Sequence, residues 1–337
     1  MAIRVAINGL GRIGRCLVRG IFEESDYNDI ELVAVNGPAP IETHVHLLKY
    51  DSIHGRFSKD VKSQGGNLII DNKEVKLFGE RDPLELPWKE LNIDVVLECT
   101  GIFLTEEGAK KHIEAGAKKV LLSAPAKGGD IKTIIYGVND NELTSDDKVV
   151  SVGSCTTNCL APVVKVLDDK FGIEKGFMTT IHAYTNDQNV VDNSHKDLRR
   201  ARAGGLSMIP TSTGATKAIE VIFPELKGNL SAISIRVPTP NVSLIDFVAR
   251  IDKKISLKDL NNAFIDASNS NLKGYLGIAH DGAVSVDLLG NPHSAIYDPF
   301  GASIISNDFV KVIAWYDNEY GYSSRVIDLV TKIGSQL

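Results

Sequence analysis

The sequence predicts an α/β protein of two domains, a doubly wound parallel sheet followed by an α+β unit with a mostly antiparallel sheet. Three observations carry this. A glycine-rich turn follows directly on the first β-rich run, Ile3 to Ile7. Strand-like and helical runs then alternate through the first half, the pattern of a parallel sheet. From Gly176 onward, strand-like runs succeed one another with few helices between, the pattern of an antiparallel sheet with helices on one face. At 337 residues the chain is also long for one hydrophobic core.

In the first half, Asn8 opens the turn Gly9-Leu10-Gly11-Arg12-Ile13-Gly14, whose glycines fit G-x-G-x-x-G. The first glycine makes the tight turn, the second lets backbone approach a pyrophosphate, and the third lets helix and strand pack closely. Arg15 to Phe22 reads as the helix and Glu31 to Asn36 as the second strand. Together they close a β-α-β unit of about 30 residues, a Rossmann-type dinucleotide-binding unit. Such units place an Asp or Glu at the end of the second strand to bond the ribose hydroxyls of NAD. Here Asn36-Gly37-Pro38-Ala39-Pro40 stands instead. A site without that carboxylate does not repel the 2′-phosphate of NADP, although the same residues also read simply as a tight turn. Val61 to Glu80 reads as short strands and turns, an insertion. His44-Val45-His46 has no third ligand at zinc spacing, so no metal site is predicted. Asn92 to Gly101, the helix Glu106 to Ala115, and Lys119 to Pro125 continue the alternation, and Thr100, Gly101 and Ser123 fall at strand carboxyl ends, where doubly wound sheets bind ligands.

The stretch Ser154 to Pro162, SCTTNCLAP, follows a β-leaning run (Lys148 to Val152) and a Gly153 turn. Leu160, Val163, Val164 and Leu167 recur at helical spacing, which puts Cys155 at the start of a helix. Backbone N–H groups and the helix dipole favour a thiolate there, the nucleophile of covalent catalysis. Cys155 and Cys159, four apart, also read as small core residues. Strands are predicted at Gly176 to Tyr184, Ser231 to Val237, Val242 to Ile251, Ser303 to Ser306 and Phe309 to Tyr316. Helices are predicted at Thr216 to Phe223, Leu257 to Ser268 and Ser323 to Ile333, the last returning to the first domain. His182, near a strand end, is either a structural histidine or the base that takes the Cys155 proton. The polar segment Thr185 to Pro210 is long enough to suggest a functional or interface loop. Its Lys196, Arg199, Arg200 and Arg202 beside Asp197 form either a solvated ion-paired face or a phosphate site. Arg236 in the apolar run Ile-Ser-Ile-Arg-Val-Pro needs an anionic partner. Thr211-Ser212-Thr213-Gly214-Ala215-Thr216-Lys217 supplies hydroxyls and a glycine at a predicted helix start, which also suits phosphate.

Composition narrows the classes further. Hydrophobic content of 43% and charged content of 24% are those of an ordinary globular chain. A net charge of −6 argues against a nucleic-acid partner. Cys16, Cys99, Cys155 and Cys159 form neither a disulfide framework nor a C-x-x-C motif. The opening MAIRVAINGL lacks the layout of a signal peptide, and no apolar run reaches membrane-spanning length, so a cytoplasmic chain without membrane attachment is expected.

Taken together, AINGLGRIGR, HLLKYDSIHGRF, SCTTNCLAP, HAYTNDQ, HKDLRRARA, PTSTGA, RVPTPNVS and WYDNEYGYS resemble the phosphorylating glyceraldehyde-3-phosphate dehydrogenase family from Val5 to about Arg325. The resemblance implies a Rossmann-type NAD(P)-binding domain over 1–153, completed by a C-terminal helix over 319–337. It implies a catalytic domain over 154–318, whose S-loop (185–209) lies at a subunit interface of a homotetramer. Cys155 matches the family nucleophile and His182 its base. Thr185 and Arg236 match the site for the substrate's C3 phosphate. Ser154, Thr156, Arg200, Thr213 and Gly214 match the site for inorganic phosphate. Asn8, Gly9, Gly11, Arg12, Ile13, Gly14, Asn36, Gly37, Arg81, Thr100, Gly101, Ser123, Ser194, Asn318 and Tyr322 match the dinucleotide contacts, with Asn318 setting the nicotinamide orientation. Members restricted to NAD usually have Asp at Gly37 and Leu-Pro at Asn193-Ser194, whereas NADP users often have Ser at the second position. Both departures favour a 2′-phosphate, so NAD with NADP as a second cofactor is expected.

The implied activity is oxidation of glyceraldehyde 3-phosphate with phosphate to 1,3-bisphosphoglycerate through a Cys155 thioester, in glycolysis and gluconeogenesis. The rivals are an erythrose-4-phosphate dehydrogenase, in which water ends the reaction, a phosphorylating semialdehyde dehydrogenase, and a secondary non-catalytic binding role.

Overall fold

A computed structural model describes residues 2–337 and separates into two compact units, residues 2–153 with 323–337 and residues 154–322. In the first, β1 (Ile3–Asn8) enters α1 (Arg12–Glu23), β2 (Ile30–Asn36) and α2 (Ile41–Lys49). A two-strand pair follows, β3 (Tyr50–Asp51) with β4 (Gly55–Arg56), then β5 (Val61–Gln64), β6 (Asn67–Ile70) and β7 (Lys73–Phe78). The unit continues through β8 (Val95–Glu98), α3 (Glu106–Glu114), β9 (Lys119–Leu122), β10 (Lys132–Thr133) and β11 (Val149–Ser151). The large sheet runs β10-β11-β9-β8-β1-β2-β7-β6-β5. Its centre is parallel and buried on both faces, which is why Val5 to Ile7 and Val95 to Leu97 read as unbroken apolar runs. Because β1 lies between β2 and β8, the chain reverses its winding direction at the carboxyl ends of β1 and β8, where ligands of such sheets bind.

The helix after the glycine turn starts at Arg12, earlier than the apolar spacing indicates, because Gly11 already serves as its N-cap. Val61 to Glu80 is not a separate insertion. β7 pairs parallel with β2 and carries the β5–β6 hairpin as an extension of the main sheet. The two-residue β10 is too short to leave a periodic signal, and in α2 the buried His44 interrupts the face on which Ile41, Val45 and Leu48 fall at helical spacing, so neither element is predicted from the sequence.

The second unit begins with α4 (Cys155–Phe171) and β12 (Ile173–Ala183), then β13 (Ile209–Thr211), α5 (Ala215–Ile222), β14 (Leu230–Val237) and β15 (Ser243–Ile251). It ends with α6 (Leu257–Asn269), β16 (Leu276–Ile278), β17 (Ala295–Ile305), β18 (Phe309–Tyr316) and the start of α7 (Tyr320–Gly334). The sheet order is β13-β14-β12-β15-β18-β17-β16. It is antiparallel except where β12 meets β14 and β16 meets β17. Strand β17 begins at Ala295, before the predicted Ser303, and its register with β18 slips between Asp298 and Ser303, at Pro299-Phe300-Gly301. That irregularity hid its first half from an alternation reading. Helix α4 is buried nearly all round against β15, β17 and β18, so its N-terminus is rigidly placed. Residues of α7 from Ser323 belong to the first unit, where Ile327 closes on Gly20 and Tyr27 Oη donates to Asp328 at 3.0 Å.

Candidate active site

Gly153 takes a positive φ of 69°, which turns the chain from β11 into the next helix. Ser154 is the N-cap of α4, its hydroxyl accepting the Thr157 N–H at 3.0 Å, and Cys155 is the first helical residue. Its Sγ lies 3.4 Å from His182 Nε2 on β12. Parallel pairing sets His182 opposite Arg236 on β14, and Arg236 Nη1 lies 2.7 Å from His182 Nδ1. Nδ1 is also 2.7 Å from the Ala183 carbonyl. One neighbour can only donate and the other only accept, so the ring has two proton placements. With Nδ1–H donated to Ala183, Nε2 is free to accept the Cys155 proton. With Nδ1 accepting from Arg236, Nε2 carries the proton and donates toward Sγ.

The sequence predicts a thiolate favoured by the helix start; the buried site adds an opposing effect. Burial pushes the Cys155 thiol up, against the Arg236 charge and the N–H groups of Thr156 and Cys155. Burial, and then Arg236, hold His182 down at about 3. Each effect resists charging one partner alone. A proton passed from Sγ to Nε2 leaves the pair's net charge unchanged and sets the two charges 3.4 Å apart, so their attraction offsets part of that burial cost. Cys159 is buried one turn further on, its Sγ against the Ala314 carbonyl at 3.8 Å, and burial pushes its thiol far up. It is a core residue.

The anion-binding candidates divide into two groups. Thr156 is buried, and a hydroxyl chain runs from it to Tyr316 Oη (2.9 Å), Thr180 Oγ1 (2.9 Å) and the Leu244 carbonyl (3.1 Å). Its hydroxyl is thereby committed inward, and what Thr156 offers an anion is its first-turn N–H. Ring packing of Tyr316 edge-on to His182, centroids 5.9 Å apart, makes Tyr316 a site residue that sequence reasoning did not single out. Thr185 hydrogen-bonds Gln188 through its N–H at 3.0 Å. Arg200 Nε donates to Thr211 Oγ1 at 2.6 Å, and its guanidinium is ion-paired to Asp187 and Asp197. Arg202 pairs with Asp192 at 3.0 Å. The basic cluster is thus ion-paired, and Arg200 also reaches the Thr211-Ser212 strand end just before Thr213 and Gly214 at the start of α5. Burial lowers Arg236, and the like charge of Arg200 adds to it, so the two guanidinium groups lie near enough to sense each other. Asn318, buried, accepts from Ser243 Oγ at 2.8 Å, and Tyr322 is buried in the first turn of α7. Ser194 is exposed on the loop after β12, beside Asn193.

In the first unit the glycine turn is closely built. Gly9 has φ 101°, and a Cβ there would meet Thr100 N at 2.8 Å, while a Cβ on Gly14 would lie 2.1 Å from the Gly9 carbonyl. Gly11 faces open space, so a pyrophosphate can approach the turn closely; on this geometry the residues fit a dinucleotide. Ile13 is half-buried on α1. Arg12 is held by a forked pair with Asp51. Burial acts the other way, yet Arg12 and the N–H groups of His54 and Ile53 keep the Asp51 carboxyl well below the usual range.

A buried polar network underlies the strand ends. Glu98, fully buried, accepts from Asn8 Nδ2 (2.6 Å), Thr100 N (2.7 Å), Thr100 Oγ1 and His112 Nε2 (3.1 Å). His112 Nδ1 in turn accepts the Trp88 indole N–H at 3.0 Å, which fixes the ring as a neutral Nε2–H donor. Asn36 donates to Asn8 Oδ1 (2.7 Å) and receives the Glu80 N–H (2.9 Å), next to Arg81, which is exposed. Ser123 Oγ donates to the Glu98 carbonyl at 3.0 Å, and Gly101 takes a positive φ. Sequence reasoning did not single out Glu98, whose only signal was a charge closing the apolar run Val95-Val96-Leu97, or His112, which the mostly polar run Glu106–Glu114 concealed. At Gly37 a Cβ would meet His44 Cε1 at 2.9 Å, and His44 Nε2 lies 3.2 Å from the Gly37 carbonyl. The imidazole thus fills the space that an Asp side chain would enter.

Residues 3–106 match the family described as glyceraldehyde 3-phosphate dehydrogenase, NAD binding domain, and residues 154–318 match its C-terminal domain. The chain is 51% identical to the glyceraldehyde-3-phosphate dehydrogenase of Xanthobacter flavus over 334 residues, covering 99% of each chain. It is 49% identical to glyceraldehyde-3-phosphate dehydrogenase 2 of Bacillus subtilis (strain 168) over 338 residues, covering 100% of this chain and 98% of the other. With the chloroplastic glyceraldehyde-3-phosphate dehydrogenase A of Zea mays it shares 50% identity over 335 residues, 99% of this chain and 83% of that one.

Proposed function

The chain belongs to the glyceraldehyde-3-phosphate dehydrogenase family, and from that premise we propose that Cys155 and His182 carry its reaction. It is an NAD(P)-dependent oxidoreductase that converts glyceraldehyde 3-phosphate and phosphate to 1,3-bisphosphoglycerate in glycolysis and gluconeogenesis. The observation that supports the assignment of residues is the 3.4 Å approach of Cys155 Sγ to His182 Nε2 at a capped helix start.

In this reading Sγ attacks the aldehyde carbon as its proton passes to Nε2, and a tetrahedral hemithioacetal forms. The Cys155 N–H and the protonated Nε2 stabilise the developing oxyanion, and Nε2 returns the proton to that oxygen. Nε2 then removes the same proton as the carbon is oxidised, leaving a thioester on Cys155. The bound dinucleotide supplies the hydride acceptor. Phosphate attacks the acyl carbon and expels the thiolate, which the imidazolium faces. Arg236 and Thr185 hold the substrate's C3 phosphate. Ser154, the Thr156 N–H, Arg200, Thr213 and Gly214 hold the attacking phosphate; Arg200 exchanges Asp187 for it. Asn8, Gly9, Gly11, Arg12, Ile13, Gly14, Asn36, Gly37, Arg81, Thr100, Gly101, Ser123, Asn318 and Tyr322 hold the dinucleotide. Gly37, with no carboxylate to repel a 2′-phosphate, and Ser194, from a neighbouring subunit, admit NADP beside NAD. The chain works as a cytoplasmic homotetramer, and no helix among the described residues is long and apolar enough to cross a membrane.

The test is initial rates of reduced cofactor formation from glyceraldehyde 3-phosphate, with and without phosphate, against NAD and NADP in turn. Multiple turnovers should require phosphate, and a Cys155 acyl-enzyme should accumulate without it. Turnover independent of phosphate would overturn the phosphate-site assignment and favour an erythrose-4-phosphate dehydrogenase. A kcat/KM for NADP more than about a hundredfold below that for NAD, a loss of about 2.7 kcal/mol in transition-state binding, would overturn the dual-cofactor reading.

A further inference from the structure

We propose that Ser243 is a positioning residue that fixes the side-chain amide of Asn318, so that only its Nδ2–H group faces the nicotinamide ring. The proposal rests on the reading of Asn318 as the residue that orients that ring. It follows from following each proton. The Ala183 N–H can only donate, and its acceptor is Ser243 Oγ at 3.0 Å. The hydroxyl therefore serves as acceptor on that side and has one proton left, which goes to Asn318 Oδ1 at 2.8 Å. Ser243, Ala183 and Asn318 are all buried. Turning the amide over would set Nδ2–H against the hydroxyl and leave the hydroxyl proton with no acceptor in a dry site, a loss that favours the observed orientation by about tenfold.

The main chain around Asn318 is held separately. The Asp317 carboxylate, 1% exposed, accepts from Asn241 Nδ2 (2.8 Å), Gly290 N (2.8 Å), Glu319 N (2.9 Å) and Tyr320 N (2.8 Å). Backbone position thus comes from Asp317, and the side chain's donor or acceptor character comes from Ser243. Ala183 directly follows His182, so one hydroxyl ties the strand end that carries the base to the amide that faces the ring. The nicotinamide carboxamide has a carbonyl acceptor and an amino donor. An Asn318 that presents only Nδ2–H selects the carbonyl, and with it one orientation of the ring and one face for hydride delivery. Ser243 is in this sense a determinant of stereospecificity.

The experiment compares the full-length wild type with Ser243→Ala, Ser243→Thr and Asn318→Ala by two readouts. Calorimetry measures Kd for NAD and for its thionicotinamide analogue, whose sulfur is a weak acceptor. Proton NMR of the reduced cofactor made from C1-deuterated glyceraldehyde 3-phosphate shows which face of nicotinamide C4 received deuterium. Ser243→Ala, which leaves neither amide orientation preferred, should raise the NAD Kd about twofold, leave the analogue's Kd unchanged, and place measurable deuterium on the second face. Ser243→Thr, which keeps the hydroxyl, should restore both. If Ser243→Ala remains strictly one-faced, or weakens both dinucleotides equally, while Asn318→Ala loses stereospecificity, the proposal is wrong and the reading of Asn318 stands. If Asn318→Ala is also strictly one-faced with unchanged Kd, that reading falls and the proposal with it.

Discussion

Arg236 should govern the basicity of His182, and the size of the effect follows from the contact between them. Free imidazole titrates near 6.5, whereas His182 is held at about 3 by burial first and Arg236 second. Protonating it in the folded chain therefore costs about 5 kcal/mol more than in water. Arg236 is the lesser of the two causes, its Nη1 2.7 Å from Nδ1, and a neighbouring charge of this kind typically shifts a titration by about 1–3 units. Removing the guanidinium favours the protonated ring, so the sign is upward. In Arg236→Gln the imidazole should titrate about one to two pH units higher, and Arg236→Lys, which keeps the charge, should move it far less. The measurement is NMR of histidine labelled at Cε1, in a Cys155→Ser background so that no thiol titrates with the ring. An anion on Arg236 should act in the same direction, so saturating glycerol 3-phosphate should raise His182 in the otherwise intact protein. If the His182 resonance titrates at the same pH in Arg236→Gln as with Arg236 present, or if Lys shifts it as far as Gln, the electrostatic argument fails.

Three further outcomes are expected. Cys155→Ser should lower kcat by several orders of magnitude, because a hydroxyl supplies almost no anion near neutral pH, while Cys159→Ser should leave kcat within about twofold; a comparable loss at Cys159 in steady-state rates would mean the wrong sulfur has been assigned. Glu98→Gln brings an amino group into a pocket where four donors already converge, so urea unfolding should show a loss of about 1–3 kcal/mol; an unchanged midpoint would mean the network is not taut. Gly37→Asp should lower kcat/KM for NADP at least tenfold with less effect on NAD, and more cleanly when combined with His44→Ala, which vacates the space an Asp needs; equal losses for both cofactors would show that position 37 does not read the 2′-phosphate.

Local features were legible without coordinates because short-range sterics and backbone hydrogen bonds decide them. The glycine spacing after Ile3–Ile7 announced the turn into α1, and Ser154 with the apolar spacing beyond Cys155 announced a capped helix. The elements that escaped were short or interrupted, such as β10, β16 and the first part of β17, where too few residues alternate to leave a pattern. Val61 to Glu80 was seen as strands, but not that β7 joins β2, since pairing partners far apart in sequence leave no local trace.

By itself, then, the chain's order of residues determined the two kinds of sheet, a cysteine at a helix start and the family of the whole. Only the tertiary structure decided what each group can do with its protons. The register of β12 on β14 set Arg236 against His182, across 54 positions of sequence. Folding β15 beside the end of β18 set the Ser243 hydroxyl between Ala183 and Asn318. The packing of His44 on Gly37 filled the space left by a missing carboxylate. Tautomers, amide orientation and the burial of a charge depend on which donor meets which acceptor away from water, and those meetings are made by strand register and packing between residues remote in the chain.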